Sequence, residues 1–274
     1  MAKTKEPGSV LTVVSPDGTR LSVERLGTGP SLVLVDGAFC GRSFGPAREL
    51  ATELADSFRV YFYDRRGRGQ SGEVMPYAME REIEDLQAIL GQAGPDSYVY
   101  GISSGAALAL EAAAAGAKIR RLVTYEAPYT GSGNDQGART DHREHLESLI
   151  QEGKRGAAVS YFLVKMIGLP AFVPLVIRLR PGTWKKQTAA ANTLPYETYV
   201  TNNFVAPLEK FRQITLPTLV MVGGKAAAPM SDAQTAIAAA IPGSELRMLE
   251  GQTHQAAAAA IAPQLKEFFT ADSA

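Results

Sequence analysis

Tyr98-Val99-Tyr100-Gly101-Ile102-Ser103-Ser104-Gly105-Ala106-Ala107-Leu108-Ala109-Leu110-Glu111-Ala112 is the stretch that decides the fold. A β-branched and aromatic triplet comes first and reads as a strand. Gly-x-Ser-x-Gly follows, and then an alanine- and leucine-rich run to Ala115 of high helix propensity. Strand, tight turn and helix in that order present the serine at the apex of a sharp elbow. Side chains two before and two after the serine would collide with neighbouring backbone, and Gly101 and Gly105 have none. The Ser103 hydroxyl is then held out at the top of a sheet. The helix N-terminus beneath it offers an unsatisfied N–H and a positive dipole end. Alone, Gly-x-Ser-x-Gly is a weak signal that a Gly/Ser loop also satisfies; the flanking strand and helix give it meaning.

Working outward, Val10 to Val14 and Arg20 to Arg25 read as two strands joined by the turn Ser15-Pro16-Asp17-Gly18. Ser31 to Val35 is a continuous apolar strand of the kind buried in a parallel sheet. Gly45 to Ala55 is a helix, Phe58 to Tyr63 a strand, Ala78 to Gln92 an amphipathic helix and Arg121 to Tyr125 a strand. Strands resume at Thr218 to Val222 and Glu245 to Leu249, with helices at Asp232 to Ala240 and Ala256 to Phe269. This alternation implies a parallel sheet with right-handed crossovers. Between Ala127 and about Arg212 it breaks into helical, proline-punctuated sequence. The expected organisation is a core domain of residues 1–126 and 213–274 with a helical lid, 127–212, inserted above the carboxyl ends of the strands. Open α/β sheets bind ligands there.

The 274 residues suit one large α/β domain. Formal net charge is +0, which gives no reason to expect nucleic acid or a membrane as partner. One cysteine, Cys40, excludes an intramolecular disulfide and fits a reducing, cytoplasmic setting. Met1 to Pro7 carries no apolar segment of a secretory signal. The longest apolar run, Tyr161 to Ile177, is broken by Lys165, Gly168, Pro170 and Pro174 and makes a poor membrane span. No internal repeat and no zinc-type cluster is visible, and no metal or cofactor is expected.

A serine nucleophile needs a base within hydrogen-bond reach and a third group to orient that base. Of the three histidines, His142 and His145 lie in the charged stretch Asp141-His142-Arg143-Glu144-His145 and read as a solvated helix face. His254 follows the last strand in Glu250-Gly251-Gln252-Thr253-His254 and is the candidate base. The acid is displaced. The loop after the Thr218–Val222 strand, where it is ordinarily found, reads Gly223-Gly224-Lys225-Ala226, with Ala226 at the acid's place. Glu126 ends the strand after the elbow helix, on the same sheet edge as Ser103 and His254, and is the candidate acid. Asp232 is the rival, several residues too far along. The oxyanion hole is assigned to the Ser104 N–H and to Gly37 or Ala38 in Val35-Asp36-Gly37-Ala38-Phe39-Cys40. Asp36 is either a brace for that loop or a contact to a polar substrate atom. Phe39, Phe162, Met166, Phe172 and Trp184 line an apolar cleft or simply pack the lid.

These motifs resemble the α/β-hydrolase superfamily over nearly the full length of the chain. Asp64-Arg65-Arg66-Gly67-Arg68-Gly69-Gln70-Ser71 is similar to its D-x-R-G-x-G-x-S loop, whose role there is mainly structural. The resemblance implies an α/β fold: a mostly parallel eight-stranded sheet with helices on both faces and an inserted helical lid. Within the superfamily the chain looks most like the zearalenone-lactonase type. Those enzymes have Asp-Gly in the oxyanion loop, a Ser-Ser-Gly elbow, a triad glutamate after the strand following the elbow and a lid tryptophan packed on substrate. Asp36-Gly37, Ser103, Glu126, His254 and Trp184 match; the loop after the lid differs, and the rest of the lid matches weakly.

Three functional classes follow. The first is a serine esterase or lactonase acting on a hydrophobic small molecule, as monomer or homodimer. The second keeps the fold and changes the chemistry, as C–C bond hydrolase, cofactor-free oxygenase, cyclase or acyltransferase. The third, motivated by Ala226, is a binding protein with a decayed triad. Serine rather than aspartate at the elbow argues against dehalogenase and epoxide-hydrolase chemistry.

Overall fold

A computed structural model of the chain describes residues 8–131 and 142–271. The reading of Met1 to Pro7 and the placing of Asp141 lie outside the described residues. The eight expected strands all form: β1 (Ser9–Val14), β2 (Arg20–Leu26), β3 (Ser31–Val35), β4 (Arg59–Tyr63), β5 (Tyr98–Ile102), β6 (Arg121–Tyr125), β7 (Thr218–Gly223) and β8 (Glu245–Leu249). They make one sheet in the order β1-β2-β4-β3-β5-β6-β7-β8. β2 pairs antiparallel with β1 and with β4, and every other pairing is parallel. The fold is thus an α/β-hydrolase fold with a mostly parallel eight-stranded sheet.

Helices cover both faces. α1 (Ala47–Leu54) and α11 (Ala258–Thr270) bury Leu50, Leu54, Ile261, Leu265 and Phe269 on one side. α2 (Met79–Ala93), α3 (Ser104–Ala114) and α10 (Ala228–Ala240) bury Leu86, Ile89, Leu108 and Ile237 on the other. α3 has no polar face: every residue from Ser104 to Ala113 is buried, which is why its sequence is alanine and leucine with little periodicity. Between β6 and β7 the described residues form only helices and turns. These are α4 (His142–Gln151), α5 (Arg155–Tyr161), a one-turn π-helix at Phe162–Met166 (the π-turn), α6 (Val173–Arg178), α7 (Pro181–Ala189), α8 (Leu194–Val200) and α9 (Leu208–Phe211), with short 3-10 turns at Ala191–Thr193 and Asn202–Phe204. Most are short because Gly168, Pro170, Pro174, Pro181, Pro195 and Pro207 punctuate them.

Several boundaries differ from the sequence reading by one to four residues, and two of them bear on the site. α10 begins at Ala228, not Asp232, because Pro229 sits in its first turn, where the missing N–H costs nothing. α3 begins at Ser104, so the serine after the apex already belongs to the helix.

Candidate active site

Reversal of strand order between β3 and β5 opens a crevice at the carboxyl edge of the sheet. Ser103 stands there. Its backbone has φ 55° and ψ −130°, a conformation non-glycine residues rarely adopt, and it is only partly buried. The glycines act as expected. A Cβ on Gly101 would lie 2.5 Å from the Gly105 carbonyl oxygen. A Cβ on Gly105 would be driven into the Val35 carbonyl and to 2.7 Å from that of Asp36. The elbow is thereby pressed against the end of β3, which carries the loop assigned to the oxyanion hole.

Glu126 is the first residue past β6, 1% exposed and at φ 48°. Its Oε2 lies 2.7 Å from His254 Nδ1, and its Oε1 accepts the Gly223 N–H at 2.9 Å. So β7, whose loop lacks the expected acid, supplies a backbone donor to the carboxylate at the end of its neighbour. Gln234 in α10 fixes the next residue: its amide donates to the Ala127 carbonyl at 2.8 Å and accepts the Ala127 N–H at 3.2 Å. Buried and doubly bonded, this side chain holds Glu126 in its left-handed backbone conformation.

The His254 loop is tied down from two sides. The Tyr125 hydroxyl donates to the Thr253 carbonyl at 2.6 Å, and the Lys225 N–H donates to the Gln252 carbonyl at 2.9 Å. Gly223 is obligatory in this packing, since a Cβ there would lie 2.6 Å from the Gln252 oxygen and 2.7 Å from the Tyr125 hydroxyl. The imidazole is 47% exposed on its outer side. Its hydrogen bond to Ser103 is not made in this structure; a catalytic contact of this kind often tightens only with substrate bound. Asp232 lies in α10, and the Nδ1 it would have to reach is occupied by Glu126.

Ser104 is the first residue of α3, so its N–H has no intrahelical acceptor. The Gly37 carbonyl accepts from the Arg68 guanidinium at 2.7 Å, and the Cys40 carbonyl from the same nitrogen at 3.3 Å. In a trans peptide the N–H points opposite the carbonyl. Arg68 therefore turns the Ala38 N–H away from itself. A Cβ on Gly37 would lie 2.8 Å from the Ser103 Cβ and 3.3 Å from its Oγ, so this loop packs directly against Ser103.

Arg68 belongs to a buried ionic network. It pairs with Glu197 of α8 and donates to Thr193 Oγ1 at 3.1 Å. Arg65 bonds both oxygens of Glu82 in α2, at 2.7 and 2.8 Å, and reaches Ser104 Oγ at 3.2 Å. Arg66 is forked on Asp85 at 2.8 Å. Burial alone would raise the Glu82 carboxyl, but Arg65 holds it below its usual value. The D-x-R-G-x-G-x-S loop thus joins the elbow helix, the oxyanion loop and the segment between β6 and β7. Sequence reading missed Arg68, Glu197, Gln234 and Tyr125; only the loop motif hinted at the first.

Asp36 is 5% exposed. Burial pushes its carboxyl up to about 7, against the Ala47 N–H at the start of α1 and the charges of Arg68 and Arg65. It lies beside Cys40 and Gly45, and among the described residues its Oδ2 has no hydrogen-bond partner. Phe39 has φ 64° and sets its ring edge-on to Phe162 at 5.3 Å. Phe39, Met166 and Trp184 share one apolar cluster with Leu146, Val159 and Leu163. Trp184 packs over Gly156, whose Cβ would lie 3.1 Å from the indole, and carries the Arg178 guanidinium 4.8 Å from its ring. Phe172 is 62% exposed and outside that cluster. His142 Nδ1 bonds the Tyr161 hydroxyl at 2.9 Å and His145 leans on the same ring, so both serve the helical segment.

Comparison with known proteins follows the same lines. The profile of the Alpha/beta hydrolase family matches residues 28–265. An alpha/beta hydrolase from Sphaerobacter thermophilus is 44% identical, with a TM-score of 0.88 over 95% of this chain and 100% of that one. The enol-lactonase from Burkholderia xenovorans LB400 shares the fold at 20% identity and a TM-score of 0.70, over 95% and 100% of the two chains. The probable oxidoreductase EphD of Mycobacterium tuberculosis is 35% identical over 97 residues, 32% of this chain; the match spans only 15% of EphD's length.

Proposed function

The chain belongs to the alpha/beta hydrolase family, and on that premise we propose that it is a serine hydrolase cleaving a carboxylic ester or lactone of a hydrophobic small molecule. The observation that carries this reading is the 2.7 Å contact of His254 with Glu126, which ends the strand next to that of the Ser103 elbow. His254 takes the Ser103 proton as Oγ attacks the acyl carbon, and the Ser104 and Ala38 N–H groups receive the oxyanion. Collapse of the tetrahedral intermediate breaks the acyl–oxygen bond. The protonated His254 gives its proton to the leaving alkoxide, which in a lactone stays tethered to the acyl group. Water, deprotonated by His254, then hydrolyses the acyl-enzyme and restores Ser103. Glu126 keeps the imidazole oriented and balances its charge throughout.

Residues 127–212 act as the lid in this reading, and Phe39, Met166 and Trp184 supply apolar contact to the acyl or ring portion of the substrate. Their common cluster next to the oxyanion loop supports a hydrophobic substrate. The zearalenone-lactonase likeness rests on the same Glu126 and on Trp184. The decayed-binder reading rests on Ala226; the contact of Glu126 with His254 supports the hydrolase reading over it. The test is a panel of aryl esters and macrocyclic lactones. Turnover by wild type, lost in Ser103→Ala and in His254→Ala, supports the reading. A Ser103→Ala variant that keeps activity while His254→Ala loses it favours serine-independent chemistry on the same site.

A further inference from the structure

Zero net charge conceals a segregated one. Residues 153–196 contain seven Lys and Arg and no Asp or Glu, so the rest of the chain carries the opposite excess of seven. All seven basic side chains are exposed, and among the described residues only Lys154 is in an ion pair, with Glu152. Within the same stretch the large apolar side chains Ile167, Phe172, Leu175, Val176 and Leu179 are open to solvent, Leu179 by 82% and Leu175 by 59%. They sit on and around α6, which packs chiefly on the π-turn and α7 and leaves its outer face uncovered. Lys165, Arg178, Arg180 and Lys185 flank that face in sequence.

A stretch of exposed large apolar side chains interleaved with basic ones reads as an interaction site. A second copy docked face to face would set the five positive charges of residues 165–186 against another five and be repelled. Nucleic acid would leave the leucines unused. An anionic lipid surface satisfies both halves: apolar side chains enter the headgroup boundary, and Lys and Arg reach lipid phosphates. We propose that the face formed by residues 165–186 docks on anionic lipid. Among the described residues no helix is long and apolar enough to cross a membrane, so this contact lies along the surface. It departs from the sequence expectation of no membrane partner, which rested on the summed charge. It is independent of the chemistry at Ser103.

Flotation of the full-length protein with phosphatidylglycerol–phosphatidylcholine vesicles tests it. At about 50 mM salt the protein floats with these vesicles and not with pure phosphatidylcholine, and about 500 mM salt releases it. Leu175→Ser/Leu179→Ser and Arg180→Glu/Lys185→Glu each weaken binding by at least about tenfold, with unchanged thermal unfolding. Ser103→Ala binds as wild type does, which separates this outcome from the fate of the hydrolase reading. No flotation with anionic vesicles, or flotation unaffected by both double substitutions, overturns the proposal. So does a wild-type dimer that Leu175→Ser/Leu179→Ser converts to monomer, since the face would then belong to a second copy.

Discussion

Glu126 Oε2 meets His254 Nδ1 at 2.7 Å while its other oxygen accepts the Gly223 N–H at 2.9 Å. The carboxylate sits one strand away from the loop where the acid is ordinarily found, and that loop's strand helps hold it. Replacing Glu126 by Gln keeps the size and loses the charge. We expect kcat to fall about 10²- to 10⁴-fold with KM nearly unchanged, measured on any ester the wild type turns over. A KM effect with unaltered kcat would place Glu126 in substrate binding instead.

Arg68 links the Gly37 carbonyl to Glu197. Arg68→Leu leaves buried Glu197 with only the longer 3.5 Å contact to Arg65, and a loss of at most about 3–5 kcal/mol is expected in urea unfolding. Arg68→Lys keeps the charge but cannot bond Gly37, Thr193 and Glu197 together. It is expected to fold and to lose kcat about 10-fold or more through a misdirected Ala38 N–H. Equal kcat in Arg68→Lys and wild type would separate Arg68 from the oxyanion loop's geometry.

Gly37 offers a narrower test of the same loop. Its φ is not in the left-handed region, so alanine is tolerated by the backbone. The added methyl would crowd Ser103 at 2.8 Å. Gly37→Ala should therefore displace the loop or the elbow and lose activity about 10²-fold, with a lower unfolding temperature as the accompanying cost. Unaltered activity would mean that the loop can retreat from the nucleophile.

Asp36 predicts a pH dependence of stability. Its carboxyl titrates near 7 in the folded chain and near 3.8 when unfolded, the shift being caused mainly by burial. Between those values the folded state binds more protons. Stability is therefore full below about pH 4, declines as pH rises to about 7 and levels off above, by at most about 4 kcal/mol. Asp36→Asn should remove this slope and be the more stable protein at pH 8. Urea titrations at pH 5 and pH 8 measure both; a wild-type chain more stable at pH 8 than Asp36→Asn would refute the assignment.

The sheet was legible because its signals are local. Continuous apolar runs at Ser31–Val35 and Arg121–Tyr125 and the strand–glycine–helix elbow need no distant partner to be recognised. The meeting of Glu126 with His254 was legible for the same reason: Glu126 ends a strand whose place in the sheet follows from the alternation. The groups that hold the site were not. Arg68 and Glu197 are 129 residues apart, and nothing local tells that they meet. Gln234 looks like any polar residue on a helix until Ala127 is found against it. The charge segregation lay in plain view, but summing the whole chain cancelled it.

The central claim is that Ser103 is an activated nucleophile served by the displaced acid. Intact mass after incubation with a fluorophosphonate probe tests it most directly, on wild type, Ser103→Ala and Glu126→Gln. The account predicts one adduct on wild type, none on Ser103→Ala and a slowed reaction on Glu126→Gln. An unmodified wild-type protein, or an adduct that persists in Ser103→Ala, would contradict it.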